Sequence, residues 1–203
     1  MNIARTEDTF RRLTSFSSPS KARTLYAREK FPADHKWNKL TFTAGDINTS
    51  IIKTALGRTI MVQWDEQSPR PYSRLNLIQG TKGTLAGYPN RLAIEGVNNF
   101  HNWAQGEEFA KLTAQYEHPL YKRVGELAKK MGGHGGMDFI ELFRMVECLR
   151  HGLPLDQNVY EGCFWSSIGP LSEKSVREGG MPQAFQDFTR GGWKTTKPLA
   201  IVT

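Results

Sequence analysis

Arg70, Tyr72 and Arg74 occupy alternate positions in the run Ser-Pro-Arg-Pro-Tyr-Ser-Arg at 68–74, with Pro71 between the first two. Proline fixes φ and pushes the residue before it into an extended conformation, so side chains on such a segment have little entropy left to lose. A simple chain reversal needs Gly, Asn or one Pro. Two guanidiniums and a phenol on a stiffened segment suit recognition of a polar ligand. The same residues would serve equally as solvated decoration where an edge strand begins. A second group is the run Gly-Gly-His-Gly-Gly at 132–136, which leads into strong helical periodicity. Free N–H groups and the positive dipole end make a helix N-terminus receptive to anions, and glycine permits close approach. The stretch reads either as a helix start that brings His134 and Asp138 to a cleft or as a plain glycine-rich connector.

Several chemistries lack their pattern. With Gly133 and Gly135 as the first two glycines of a dinucleotide fingerprint, the third would fall at Asp138, and the preceding segment is helical rather than a strand. Cys148, His151 and Cys163 do not form the paired spacing of a metal site, so no metal is expected. No Gly-x-Ser-x-Gly elbow is present. Spacing alone assigns no catalytic residue. The tryptophans, Trp37, Trp64, Trp103, Trp165 and Trp193, read chiefly as core or half-buried anchors, although such rings also stack on sugars.

The elements that would position these residues come in two blocks. Residues 10–17 alternate as a strand, 20–30 suit a short helix, and 39–44 read as a second short strand. β-branched runs at 51–55 and 59–64 flank Leu56-Gly57-Arg58 as a hairpin. Strands at 74–79, 84–86 and 91–95 would continue an antiparallel meander with one face free to pack on helices. Helices follow at 107–116, 119–131 and 137–151, and within 159–178, the last interrupted near Gly169-Pro170. In the third, Phe139, Ile140, Phe143, Val146 and Leu149 form an apolar stripe, with Glu141, Arg144, Glu147 and Arg150 on the other side. A final strand is expected at 199–202. Strands mostly within 9–96, helices mostly within 107–179 and an irregular tail from 180 predict a single α+β domain over 1–203. Its open, mainly antiparallel sheet would carry helices on one face, and no dinucleotide-binding domain is expected.

At 203 residues, 38% hydrophobic and 11% aromatic, the chain is long and apolar enough to bury a core. Its net charge of +7 is uneven: residues 1–40 hold nine Lys or Arg against four Asp or Glu. These charges are dispersed, without a helix-turn-helix pattern, finger spacing or interleaved aromatics, so they read as a solvated or partner-facing surface rather than a nucleic-acid footprint. Two cysteines in helical segments read as small apolar side chains rather than a disulfide framework. No apolar leader follows Met1 and no run is long enough to span a bilayer. As written, the chain is expected to be cytoplasmic with no membrane partner, while a full-length parent could be exported.

The motif at 68–74 with Gln-Gly-Thr-Lys-Gly at 79–83, Gly-His-Gly-Gly-Met-Asp-Phe at 133–139, Gly-Leu-Pro-Leu-Asp-Gln-Asn-Val-Tyr at 152–160 and Asp-Phe-Thr-Arg-Gly at 187–191 resemble glycoside hydrolase family 109, in order and over nearly the whole chain. This family is the NAD-dependent α-N-acetylgalactosaminidase branch of the Gfo/Idh/MocA oxidoreductases. The resemblance is confined to the α+β C-terminal domain. The NAD-binding glycines and the Tyr-Pro-Thr-His substrate motif of the N-terminal Rossmann domain have no counterpart here. It implies a redox-assisted reaction: hydride moves from sugar C3 to NAD+, the C2 proton becomes acidic, the aglycone is eliminated, water adds and the ketone is reduced again with retention. It further implies that Tyr72 contacts the sugar, with Arg70 and Arg74 shaping its surroundings and His134 and Asp138 as further cleft candidates. NAD would belong to the full-length family, with none expected to bind this chain alone. The expected ligand is an N-acetylhexosamine glycoside. The alternative is a non-catalytic sugar-binding or assembly module that forms a homo-oligomer through its open sheet.

Overall fold

The computed structural model describes residues 8–98 and 101–202. The chain forms two compact units, one from residues before 70 together with 155–199, the other chiefly from 70–154.

The first unit is a four-stranded antiparallel sheet. Strands β1 (Phe10–Ser17), β2 (Ile47–Thr54) and β3 (Thr59–Asp65) pair in sequence, and the short strand Gln183–Ala184 pairs on the far side of β1. The period-2 alternation of β1 and β2 places Leu13 opposite Ile52 and Ser15 opposite Ser50 on one closed face. The long helix Val159–Arg177 packs on β1 and begins at a capping box, in which Asn158 and Glu161 satisfy each other's backbone N–H. Phe164 of this helix meets Phe10 and Phe188 edge-on, which is the geometry aromatic quadrupoles prefer. Ser175, fully buried, accepts a hydrogen bond from the Ser15 N–H at 2.9 Å and donates to the Met181 carbonyl. It thereby satisfies a strand donor that the two-residue neighbour strand is too short to reach.

The second unit contains a three-stranded antiparallel sheet, β4 (Asn76–Gln79), β5 (Gly83–Gly87) and β6 (Arg91–Ile94), and three helices, Gly106–Tyr116, Pro119–Met131 and Met137–His151. Numbered in chain order with the short helix Ala22–Lys30 as α1, these helices are α2, α3 and α4, Val159–Arg177 is α5, and Gln183–Ala184 is β7. α3 starts with Pro119, whose missing N–H is not needed there. α3 and α4 meet at Gly136, where a Cβ would lie 2.7 Å from the Ala128 carbonyl carbon. Glu147 then ties Arg123 of α3 to Arg144 of its own helix.

The α+β architecture with open antiparallel strands is as expected, and several local expectations are corrected. The meander divides between β3 and β4 into two sheets. Residues 39–44 and 199–202 form no strand, because alternation alone finds no partner to pair with. α5 runs unbroken through Pro170, since packing at Phe164 before the proline and Ser175 after it holds both halves. On α4 the packed side carries Arg144, 8% exposed, and Cys148, while Val146 and Leu149 of the apolar stripe are exposed. Small residues permit the close approach of α3 and α4: Gly136 at the start of α4 lies against the Ala128 backbone of α3, where any Cβ would collide.

Candidate functional site

Tyr72, Arg74 and Tyr88 form one cluster in the second unit, on the irregular segment before β4 and the turn between β5 and β6. Residues 68–75 are irregular, and Ser73 shapes them: its carbonyl accepts from Arg70 Nη1 at 3.4 Å and its Oγ from the Leu75 N–H at 3.1 Å. Leu75 takes a left-handed φ of 48°, an uncommon conformation for a bulky residue, which redirects the chain into β4. Arg74 Nε donates to the Tyr72 hydroxyl at 2.9 Å, and the Tyr72 ring stacks on Tyr88 with centroids 6.5 Å apart and planes inclined by 30°. The hydrogen bond from Arg74 to Tyr72 raises the guanidinium pKa above its ordinary value, and the phenols of Tyr72 and Tyr88 add to the effect. Tyr72 is nevertheless 77% exposed. An aromatic face and a fixed hydroxyl–guanidinium pair, held out in solvent, suit a ligand with both an apolar ring face and hydroxyl groups.

His134 and Asp138 form a second cluster. His134 Nδ1 lies 2.9 Å from both carboxylate oxygens of Asp138, one α-helical turn further on. Asp138 sits in the first turn of α4, where the helix dipole favours a negative charge. Gly133 makes the pairing possible, because a Cβ there would stand 2.8 Å from Asp138 Oδ2. With Nδ1 engaged, Nε2 is the ring nitrogen left for a ligand, an arrangement in which a carboxylate fixes the tautomer of an acid–base histidine.

The five residues singled out from sequence therefore fall into two groups, and the pairing of His134 with Asp138 is seen directly. Tyr88 was missed. Its one sequence signal is an aromatic residue in the Gly-Tyr-Pro turn between β5 and β6, and its contact with Tyr72 is tertiary. Asp187 was missed as an organiser. Its carboxylate accepts from the Thr189 hydroxyl and N–H, the Gly191 N–H and Trp193 Nε1. Those donors, the Thr189 hydroxyl foremost, hold its pKa below the usual carboxylate range.

The residues described do not fit a nicotinamide cofactor. Gly132–Gly136 joins helix to helix, both sheets are antiparallel, and the turn from β1 into α1 carries no glycine, so among the described residues there is no parallel strand–helix–strand unit with a glycine-rich turn to cradle a pyrophosphate. Among the described residues no group of three His, Cys, Asp or Glu could hold a metal, and no helix is long and apolar enough to cross a membrane.

Comparison with known proteins places this architecture. Residues 1–195 match the family model of the glycosyl hydrolase 109 C-terminal domain. Two glycosyl hydrolase family 109 proteins of Akkermansia muciniphila are 66% and 60% identical over the whole of this chain, and one of Shewanella pealeana is 56% identical. The chain spans 43–44% of the length of these curated relatives. Among solved structures, an oxidoreductase domain protein of Kribbella flavida shares the fold, with TM-score 0.54 and 11% identity, over 88% of this chain and 46% of that one. The WlbA dehydrogenase of Bordetella pertussis, solved with NADH and UDP-GlcNAcA, aligns with TM-score 0.47 and 14% identity over 88% of this chain and 42% of its own. On its match across 195 residues and these identities, the chain belongs to glycoside hydrolase family 109, as its C-terminal domain.

Proposed function

We propose that this chain supplies the sugar-binding side of an NAD-dependent retaining glycosidase acting on α-N-acetylgalactosaminides, and that Tyr72 contacts the sugar. The observation that carries this reading is the Tyr72–Arg74–Tyr88 cluster, an exposed aromatic face whose hydroxyl is held by a guanidinium. Nicotinamide would supply the hydride chemistry from elsewhere in the full-length architecture. The residues here bind and orient: the Tyr72 ring packs on the sugar's apolar face, and Arg74 fixes the hydroxyl that meets the ring substituents. His134, held by Asp138, is an acid–base group, and Arg70 belongs to the surroundings of Tyr72.

On this reading the isolated chain binds N-acetylgalactosamine, does not bind NAD and does not turn over an aryl α-N-acetylgalactosaminide. Calorimetric titration with the sugar and with NAD, beside a chromogenic assay, tests all three. Turnover by the purified 203-residue chain, or NAD binding to it, would sink the reading. A second reading, an assembly module, is favoured by the open face of the first sheet. There Phe16, Ile51 and Met61 are exposed beside Thr49 and Gln63 on the side opposite Leu13 and Ile52. A second copy of the chain laid on that face would make a homo-oligomer.

A further inference from the structure

The first unit holds another constellation of exposed rings and polar ends, unrelated to Tyr72. Between α1 and β2 the chain runs through residues 31–46 with only a 3₁₀ turn at Lys36–Lys39, yet it is firmly braced. Phe31 stacks on His35 at 4.4 Å, and Trp37 stands edge-on to both, at 4.7 and 5.8 Å. Tyr26 of α1 meets Phe31 at 6.3 Å. Asn38 Nδ2 donates to the Phe31 and Pro32 carbonyls, and the Asp46 carboxylate accepts from the Lys21 and Ala22 N–H groups at the start of α1. This bracing leaves Trp37 40% and Tyr26 54% exposed. Both line a cavity of about 500 Å³, with Phe42 and the polar side chains Arg23, Glu66 and Gln67.

The lining selects a ligand class. A cavity of this volume takes a small molecule of one or two rings. Three aromatic side chains offer flat apolar faces. The guanidinium, carboxylate and amide are planar, and each presents adjacent donors or acceptors in one plane, which match neighbouring hydroxyl groups. One cation, one anion and one amide give no net charge, so neither a phosphate nor a metal ion is favoured. A purely aliphatic ligand would desolvate Arg23 and Glu66 without partners. A neutral ring with a C–H face and a hydroxyl edge meets both requirements. We infer that Arg23, Tyr26, Trp37, Phe42, Glu66 and Gln67 form a second saccharide-binding site, taking one or two neutral sugar residues and acting independently of the Tyr72 cluster.

The test is a titration of the full 203-residue chain with N-acetylgalactosamine, lactose and the charged control glucuronate. It is read by two-dimensional NMR at the Trp37 indole N–H, which Trp37→Phe identifies. One of the neutral probes shifts that resonance, and Arg23→Ala with Glu66→Gln weakens binding at least roughly tenfold. Those two substitutions lie outside the ring bracing, and an unchanged dispersed spectrum verifies the fold. Tyr72→Ala leaves the Trp37 response intact, so failure of the Tyr72 reading and failure of this site are separable. The inference is overturned if no neutral probe moves Trp37 at roughly 50 mM. A response that survives the double substitution, disappears in Tyr72→Ala, favours glucuronate or depends on protein concentration without sugar also overturns it.

Discussion

Removing one oxygen from Tyr72 separates its two contributions. Tyr72→Phe keeps the ring against Tyr88 and removes the acceptor that Arg74 Nε uses. Loss of one hydrogen bond amounts to about 1 kcal/mol, so titration calorimetry should show affinity for N-acetylgalactosamine falling about fivefold, with Tyr72→Ala losing more. Equal losses for Phe and Ala would mean that the ring face makes no contribution. At Asp187 the prediction concerns pH. Four donors stabilise the charged carboxylate, so its folded pKa lies below the ordinary value of 3.8. The stability it contributes is complete above that ordinary value and is lost as pH falls through the folded pKa. The Trp193 environment should therefore hold from neutral pH to the ordinary carboxylate range and change below it. Asp187→Asn should lack that step, so the difference in fluorescence between the two proteins should display it.

At the scale of elements, the glycines between α3 and α4 differ sharply in what they permit. Gly136 has φ +99° and a Cβ there would collide with the Ala128 backbone, whereas Gly132, at φ +80°, has open space around it. Gly136→Ala should cost roughly 2–4 kcal/mol and Gly132→Ala roughly 1 kcal/mol, measured by chemical denaturation. Similar costs at both positions would mean that helix approach is not limiting. This junction also shows how far sequence could reach. α3 and α4 begin and end where Pro119, the glycine run and Gly152 say they should, because those signals are local and carry their own backbone physics. His134 and Asp138 were singled out separately as cleft candidates, and their pairing one helical turn apart across the glycine-rich start emerges only in the structure. The burial of Arg144 was not legible, since its partner Glu147 is held by Arg123 of the neighbouring helix, a tertiary contact outside the period of α4. Nor was Tyr88, which gains its meaning from a ring 16 positions earlier. The strand expected at 39–44 failed in the complementary way: the alternation is present, but no neighbouring strand is.

At the scale of the molecule, the open sheet face bears on the proposed association. Met61 is exposed on β3 beside Ile51, its partner across the sheet. If copies of the chain associate there, Met61→Asp should convert the assembly to monomer in light scattering while N-acetylgalactosamine binding is retained, because the Tyr72 cluster belongs to the other compact unit. An unchanged mass distribution would move the interface elsewhere. The hydrogen bond from Ser15 to Ser175 spans 160 positions and carries a consequence for synthesis. β1 therefore leaves the ribosome 160 positions before the serine of α5 that satisfies its backbone. The unit built on residues 70–154 needs no such wait. Its strands and helices can close while β1 still lacks its cover, so residues 70–154 should gain protection before β1 does. Pulse-labelled hydrogen exchange on stalled chains would register this as amides of residues 76–94 protected before those of β1.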